Sequence, residues 1–360
     1  MKIALILSGS LKYAPYAKYY INLLEENKIE YDVISWNRGM SDEGAKYTFK
    51  TKQDGKNALV AKVQKAINYF RYSSFVQKVC RGKDYDCLII FTVQMGLILS
   101  RFLLKTQKRR YIFDIRDYSK LDRYMHKLLD KLLYNSVLNV VSSQSFEKWL
   151  LHECTVCHNV DYTRLNNISS EGISDPVIPP YKVASIGNFL ESDINIELLK
   201  QLLNNKLFCF YYIGKANIDK EKLKKYVNDY GVMNVKMMGA YSPDETDTLY
   251  RHNCDFVNII RRESAINKYA LPNKLYNGII LGKPIITNRA NIAIADLIDR
   301  YYLGIILDEP FSSEAIINEI NAFDRKAFIK GRERFLHAVF DEQMLFKKNV
   351  IDALSLKKAL

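Results

Sequence analysis

Short apolar runs alternate with helical patterns along this chain, and the rhythm stops once and then restarts. In the first half the runs are Lys2–Leu7, Tyr31–Trp36, Cys87–Phe91, Tyr111–Asp114, Leu138–Val141 and Thr155–His158. In the second they are Lys182–Ile186, Leu207–Ile213, Val235–Met238, Phe256–Ile260, Pro284–Thr287 and Gly304–Leu307. Near-continuous apolar strands separated by helices are what a parallel sheet covered on both faces requires. Helices are expected at Tyr16–Asn27, Gln144–His152, Ile194–Asn204, Lys220–Asp229, Pro243–Arg251 and Ala293–Tyr301. The break is residues 162–181, a polar segment that holds Pro176, Pro179 and Pro180. A chain of 360 residues suits two domains of ordinary size. The expectation is therefore an α/β protein of two Rossmann-like, doubly wound domains facing each other across a cleft. Their boundaries are 1–161, a linker at 162–181, and 182–340, with a last amphipathic helix at 341–360. Residues 37–57 have no clear period and hold three glycines, so they read as a long polar loop.

Composition narrows the class. The chain is 48% hydrophobic and 26% charged, as a globular protein is. No apolar run is long enough to span a bilayer, and the apolar start Ile3–Leu7 is too short for a signal peptide and suits a first strand. Cys154 and Cys157 make a lone C-x-x-C without a second pair at metal-finger spacing; the six cysteines read as reduced, in a cytoplasmic chain. The net charge of +13 is uneven, because Lys56–Tyr134 holds 17 Lys and Arg against 6 Asp and Glu. Three amphipathic stretches carry this excess: Ala58–Cys80, Gln94–Arg110 and Ser119–Tyr134. Basic amphipathic helices suit the anionic inner face of the cell membrane, as peripheral partners, while their apolar sides also serve an ordinary core. No nucleic-acid-binding motif accompanies them.

The segment 271–298 carries the most chemistry: L-P-N-K-L-Y-N-G-I-I-L-G-K-P-I-I-T-N-R-A-N-I-A-I-A-D-L-I. Pro272 opens a helix, Lys274 follows in its first turn, and Gly282 closes it before a buried strand. A helix N-terminus with a lysine beside it suits a diphosphate; a solvated lysine on an ordinary βαβ helix is the equally open alternative. The segment resembles the nucleotide-sugar-binding helix of GT-B glycosyltransferases, especially the bacterial family 4 type of capsule and O-antigen synthesis. The resemblance extends to Lys2–Gly9 as the first strand and loop, to Tyr111–Ser119 as an aspartate-bearing strand end, and to Val156–Asp161 as the close of the first domain.

That resemblance implies a hexosyl-type glycosyltransferase with no metal and no cofactor, taking its sugar from a nucleoside diphosphate sugar. It also implies a glycan acceptor, lipid-linked, and a last helix that crosses back to the first domain. Donor-binding candidates are Gly214 and Lys215 after one strand, Arg261 with Arg262 after another, Lys274 and Asn277. Catalytic candidates are Asp117, as base or acceptor-orienting carboxylate, and Glu263; Gly9 and Ser10 form the acceptor-side loop. Asp84 and Asp86 imitate a metal-binding D-x-D pair but precede their strand, at its wrong end. The chain also departs from the family pattern. Gly187–Asp193 lacks the usual cations, and Tyr269 and Asn277 stand where relatives carry acids, the second of which receives ribose hydroxyls. The alternatives are accordingly a non-catalytic GT-B-fold binding or scaffold subunit, and a sugar-nucleotide epimerase.

Overall fold

The computed structural model describes residues 1–37, 44–51, 58–119, 121–160, 162–165 and 177–355. It divides into two compact units, Met1–His158 with Glu342–Leu360, and Asn159–Asp341. Among the described residues the first unit holds β1 (Lys2–Ile6), α1 (Ala17–Glu26), β2 (Glu30–Asn37), β3 (Tyr47–Lys50), α2 (Ala58–Arg81), β4 (Cys87–Phe91) and α3 (Val93–Thr106). It continues with β5 (Tyr111–Ile115), α4 (Asp122–Asn135), β6 (Leu138–Val141), α5 (Glu147–Leu150) and β7 (Thr155–Val156). Its parallel sheet runs β3-β2-β1-β4-β5-β6-β7, so the winding reverses between β1 and β4. The central strands are apolar throughout because both faces are covered. One face packs α1, through Tyr20, Leu23 and Leu24, together with Phe346, Val350 and Leu354 near the chain's end. Tyr20 meets Phe91 and Phe346 edge-on, at centroid distances of 5.4 and 5.1 Å.

The second unit contains β8 (Tyr181–Ile186), α6 (Ser192–Gln201), β9 (Phe208–Ile213), α7 (Ile218–Asp229), β10 (Val235–Met238), α8 (Thr246–Asn253) and β11 (Phe256–Asn258). Then follow α9 (Ala265–Tyr269), α10 (Asn273–Ile280), β12 (Ile285–Asn288), α11 (Ile292–Tyr301), β13 (Gly304–Leu307), α12 (Ser313–Ala322) and the early part of α13 (Arg325–Ser355), whose residues from Glu342 belong to the first unit. The sheet order is β10-β9-β8-β11-β12-β13, again all parallel, with its reversal between β8 and β11. Crevices outside the carboxyl ends of strands at such reversals are where doubly wound sheets bind ligands.

Three expectations need correction. The polar loop at 37–57 contains β3, an edge strand paired in parallel with β2; residues 38–43 and 52–57 of it lie outside the described residues. The chain enters the second unit at Asn159, because Val160 and Leu165 are buried in that unit's core; residues 166–176 of the expected linker lie outside the described residues. The helix expected from 341 begins at Arg325, and its early part belongs to the second unit. There Gly331 presses against α11: an added Cβ would lie 1.5 Å from the Tyr301 carbonyl oxygen. Gly331→Ala should therefore cost about 3 kcal/mol through forced backbone movement. For a domain of this size that lowers Tm by roughly 6–12 °C. Gly239→Ala, where a Cβ meets nothing within 4 Å, is the control and should leave Tm unchanged.

Candidate functional site

At the carboxyl edge of the second sheet, α10 points its N-terminus toward the end of β8. Pro272 occupies the N-cap position, one place before the first helical position expected of it, and Asn273 and Lys274 begin the first turn. The opposite end of α10 is closed by Arg332, fully buried, whose Nε and Nη2 donate to the carbonyls of Ile279 and Ile280 at 2.7 and 2.6 Å. A guanidinium on those last carbonyls satisfies orphan acceptors and complements the helix dipole. It holds steady the helix that presents Lys274.

Lys274 is only 8% exposed. Its Nζ donates to Ser185 Oγ at 3.0 Å and the Asn188 carbonyl at 3.4 Å, and among the described residues no carboxylate pairs with it. Burial pulls its ammonium down to about 7, and the neighbouring Arg261 guanidinium pulls the same way. Arg261 is itself buried, with no ion pair among the described residues, and burial lowers its pKa against the pull of Glu191 and Asp219. Two buried cations side by side without a bonded counter-ion are costly to a fold, and an incoming anion relieves that cost. The fully buried Asn288 clamps the Arg261 backbone, accepting from its N–H at 3.0 Å and donating to its carbonyl at 2.7 Å.

The Gly214 loop completes this edge. Gly214 has φ +152°, and a Cβ there would lie 2.1 Å from the Gly187 carbonyl oxygen, so only glycine fits. Lys220, in the first turn of α7, is buried and donates its Nζ to the carbonyls of Gly214, at 2.6 Å, and Met238. The sequence reading missed Lys220. Its signal was a cation in a first helical turn, where the dipole disfavours one. Lys215, the next residue after Gly214, is exposed.

Two donor-side candidates sit in other company. Asn277 has its Oδ1 taken by Arg164 Nη1 at 2.9 Å, while Arg164 Nη2 holds Asp247 at 2.6 Å. Glu263 is exposed and paired with Lys268 at 2.8 Å, which holds its carboxyl below the usual range. It lines a separate cleft with Arg262, whose backbone N–H and guanidinium are held by Glu191 and Glu197.

In the first unit, Asp114 is fully buried at the end of β5, accepting from Tyr20 OH at 2.7 Å and from Arg116 Nη2. Arg116, also buried, donates Nη1 to the Cys157 carbonyl at 2.7 Å and lies over the Tyr16 ring. This pair pins the turn on which Asp117 stands. The Asp117 side chain is exposed, yet the protein behind it pushes its carboxyl above the usual range while Arg116 pulls it down. Ser10 is turned inward as a cap, its Oγ accepting from Lys12 N–H at 3.3 Å. At Gly9 an added Cβ would meet no protein atom within 4 Å, so packing within the chain does not itself demand glycine there. Asp84 and Asp86 precede β4, and Asp86 accepts from the Lys2 N–H at 2.6 Å.

No protein-family model matches the chain, and no curated protein sequence matches it. Solved structures do. Sucrose-phosphate synthase from Thermosynechococcus elongatus superposes with a TM-score of 0.71 at 13% identity, covering 99% of this chain and 100% of that one. The fold is the GT-B fold. The lipopolysaccharide outer core galactosyltransferase WaaB, in its apo form, gives a TM-score of 0.63 at 16% identity over 96% of this chain and 100% of that one. HepE from Anabaena, solved with UDP and glucose, gives 0.62 at 12% identity over 99% of both chains. At such identities the GT-B architecture is shared, while side chains at the sites are this chain's own.

Proposed function

We propose that this protein is a glycosyltransferase that moves a hexosyl-type sugar from a nucleoside diphosphate sugar to a glycan acceptor. The observation that carries this is the buried Lys274 beside Arg261, without a bonded carboxylate, at the N-terminus of a helix in a GT-B chain. In the transfer, negative charge grows on the leaving diphosphate as the sugar departs. Lys274, Arg261 and the first N–H groups of α10 meet that charge, a role that needs no metal and no cofactor. Gly214, with its loop held by Lys220, lets the backbone approach the donor, and Lys215 adds an exposed cation beside it. Asp117 takes the proton of the acceptor hydroxyl or orients it. The family 4 type, and a place in bacterial surface polysaccharide synthesis, belong to the same proposal.

The test is a thermal-shift screen against nucleoside diphosphates and their sugars, followed by a donor-hydrolysis assay. Expected are a higher Tm with a nucleoside diphosphate and slow release of sugar to water. No stabilisation by any of them overturns the placement of the site. Binding without turnover would favour a non-catalytic subunit, the reading supported by the Arg164–Asn277 contact; an isomerised donor without acceptor would favour an epimerase.

A lipid-linked acceptor and peripheral attachment to the inner face of the cell membrane complete the proposal. Helices α2, α3 and α4 pack side by side on one face of the first sheet. On α2, Val63, Ile67 and Phe70 are exposed at helical spacing, Phe70 by 75%, with Lys65 and Arg71 between and beside them. On α4, Tyr124 is 81% exposed, with Met125 and Lys127 beside it. Apolar side chains set among cations suit an anionic lipid surface. No helix among the described residues is long and apolar enough to cross a membrane. Flotation with anionic liposomes should show binding that weakens steeply with salt, because each cation near the surface adds about 1 kcal/mol and salt screens it. Equal binding at low and high salt, or none, removes the electrostatic attachment.

A further inference from the structure

The second unit carries another concave site that the transfer proposed above does not use. A cleft of about 510 Å³ opens where the loops after β11, β12 and β13 come together at the carboxyl edge of the sheet. Its volume lies within the range of about 300–1,000 Å³ usual for small-molecule sites. Three cations line it, one group from each side: Arg262 and Lys268 from the loop and short helix after β11, and Arg289 from the loop after β12. Ala290 and Ile292 also line it, so the N-terminus of the ten-residue helix α11 faces the same space. The dipole of that helix adds partial positive charge to that of the three side chains.

The present partners of these cations are replaceable. Arg262 is held by Glu197 at 2.5 Å, Arg289 by Asp299 at 2.8 Å and Lys268 by Glu263 at 2.8 Å, and all six side chains are a third exposed or more. Glu197 and Asp299 do not line the cleft, whereas Glu263 does. Exposed pairs of this kind contribute about 0–1 kcal/mol each, so a phosphate with nearly two charges competes with them readily. The two carboxylates that do line the cleft, Glu263 and Glu309, add acceptors. Acceptor-only groups beside a cationic cluster match hydroxyl donors on the same ligand.

We propose that this cleft binds the phosphomonoester of a polyol, such as a sugar phosphate. The phosphate lies on Arg262, Lys268, Arg289 and the α11 N-terminus, and hydroxyls donate to Glu263 and Glu309. The site is separate from the Lys274 site but joined to it. Asn288 donates to Glu309 as well as clamping Arg261, so one buried side chain joins a lining residue of the cleft to the backbone of the donor-side cation. A ligand that draws Glu309 therefore acts on the group that fixes Arg261.

Isothermal titration of the full chain with glucose 6-phosphate, inorganic phosphate, glucose and the best nucleoside diphosphate tests this. Glucose 6-phosphate should bind at least tenfold more tightly than inorganic phosphate or glucose, and should still bind when the nucleoside diphosphate is saturating. Arg289→Ala, at an exposed position outside the donor site, should weaken glucose 6-phosphate roughly 10- to 100-fold. It should leave nucleoside diphosphate affinity within twofold, and Lys268→Met should behave alike. Competition between the two ligands, equal binding of inorganic phosphate, or unchanged affinity in both variants would overturn the proposal. Failure of every nucleoside diphosphate to bind would instead strike the transferase reading and leave this site to be judged on glucose 6-phosphate alone.

Discussion

Lys274→Met should abolish nucleoside diphosphate binding and, at neutral pH, make the protein more stable. Methionine matches the lysine stem and leaves no charge in a site where no carboxylate among the described residues offsets one. Replacing a buried ion by an apolar group of similar volume is often neutral or stabilising by about 1–4 kcal/mol. The lost hydrogen bond to Ser185 takes back about 1 kcal/mol. The pH dependence has a definite sign. Unfolded, Lys274 titrates near its ordinary 10.5; folded, it does so at about 7. Between those values the unfolded chain holds more protons, so native stability rises with pH across that window. The penalty of the buried ammonium is complete below pH 7 and gone above 10.5, so the gain from Lys274→Met should be largest near pH 6 and should vanish toward pH 10.5. Ligand binding shows the opposite face of the same linkage. A diphosphate favours the protonated lysine, so its affinity should fall as pH rises above 7, and binding at pH 7 should take up about half a proton. Calorimetry in buffers of different ionisation enthalpy reads that uptake directly. A variant with unchanged donor affinity, or a Tm lowered at every pH, would refute the role assigned to Lys274.

Asp117→Asn should lower turnover by about 10²–10⁴-fold, the usual contribution of a positioned base. Donor affinity should stay within twofold, because the diphosphate is held by second-unit residues. The raised carboxyl of Asp117 supplies a second readout. A base must be deprotonated, so the rate of the native enzyme should fall as pH drops through a value above the usual carboxylate range. Asparagine does not titrate, and the acidic limb should disappear from what activity remains. Arg116→Lys should move that limb, because Lys cannot reproduce the guanidinium's paired contacts to Asp114 and the Cys157 carbonyl. Normal turnover of Asp117→Asn would exclude Asp117 as the base.

The strands were legible because they are local and apolar. Cys87–Phe91, Leu138–Val141, Val235–Met238 and Gly304–Leu307 occupy the residues that their composition marks, since a strand covered on both faces needs no partner information to declare itself. β3 escaped notice for the same reason in reverse: Tyr47–Lys50 is a half-exposed edge strand of mixed residues, ordered by pairing with β2. The unbroken run of α13 from Arg325 escaped too, because its continuity serves two different cores. At the site, sequence pattern placed Lys274 in the first turn of its helix, because Pro272 before it and Gly282 after it act through backbone torsions alone. Its burial, the neighbouring Arg261, the inward Lys220 and the hold of Arg164 on Asn277 are contacts between residues 6 to 113 positions apart. Charge shifts and hydrogen bonds of that kind depend on which strands lie side by side. Local periodicity carries no record of strand order, so only the tertiary structure decides them.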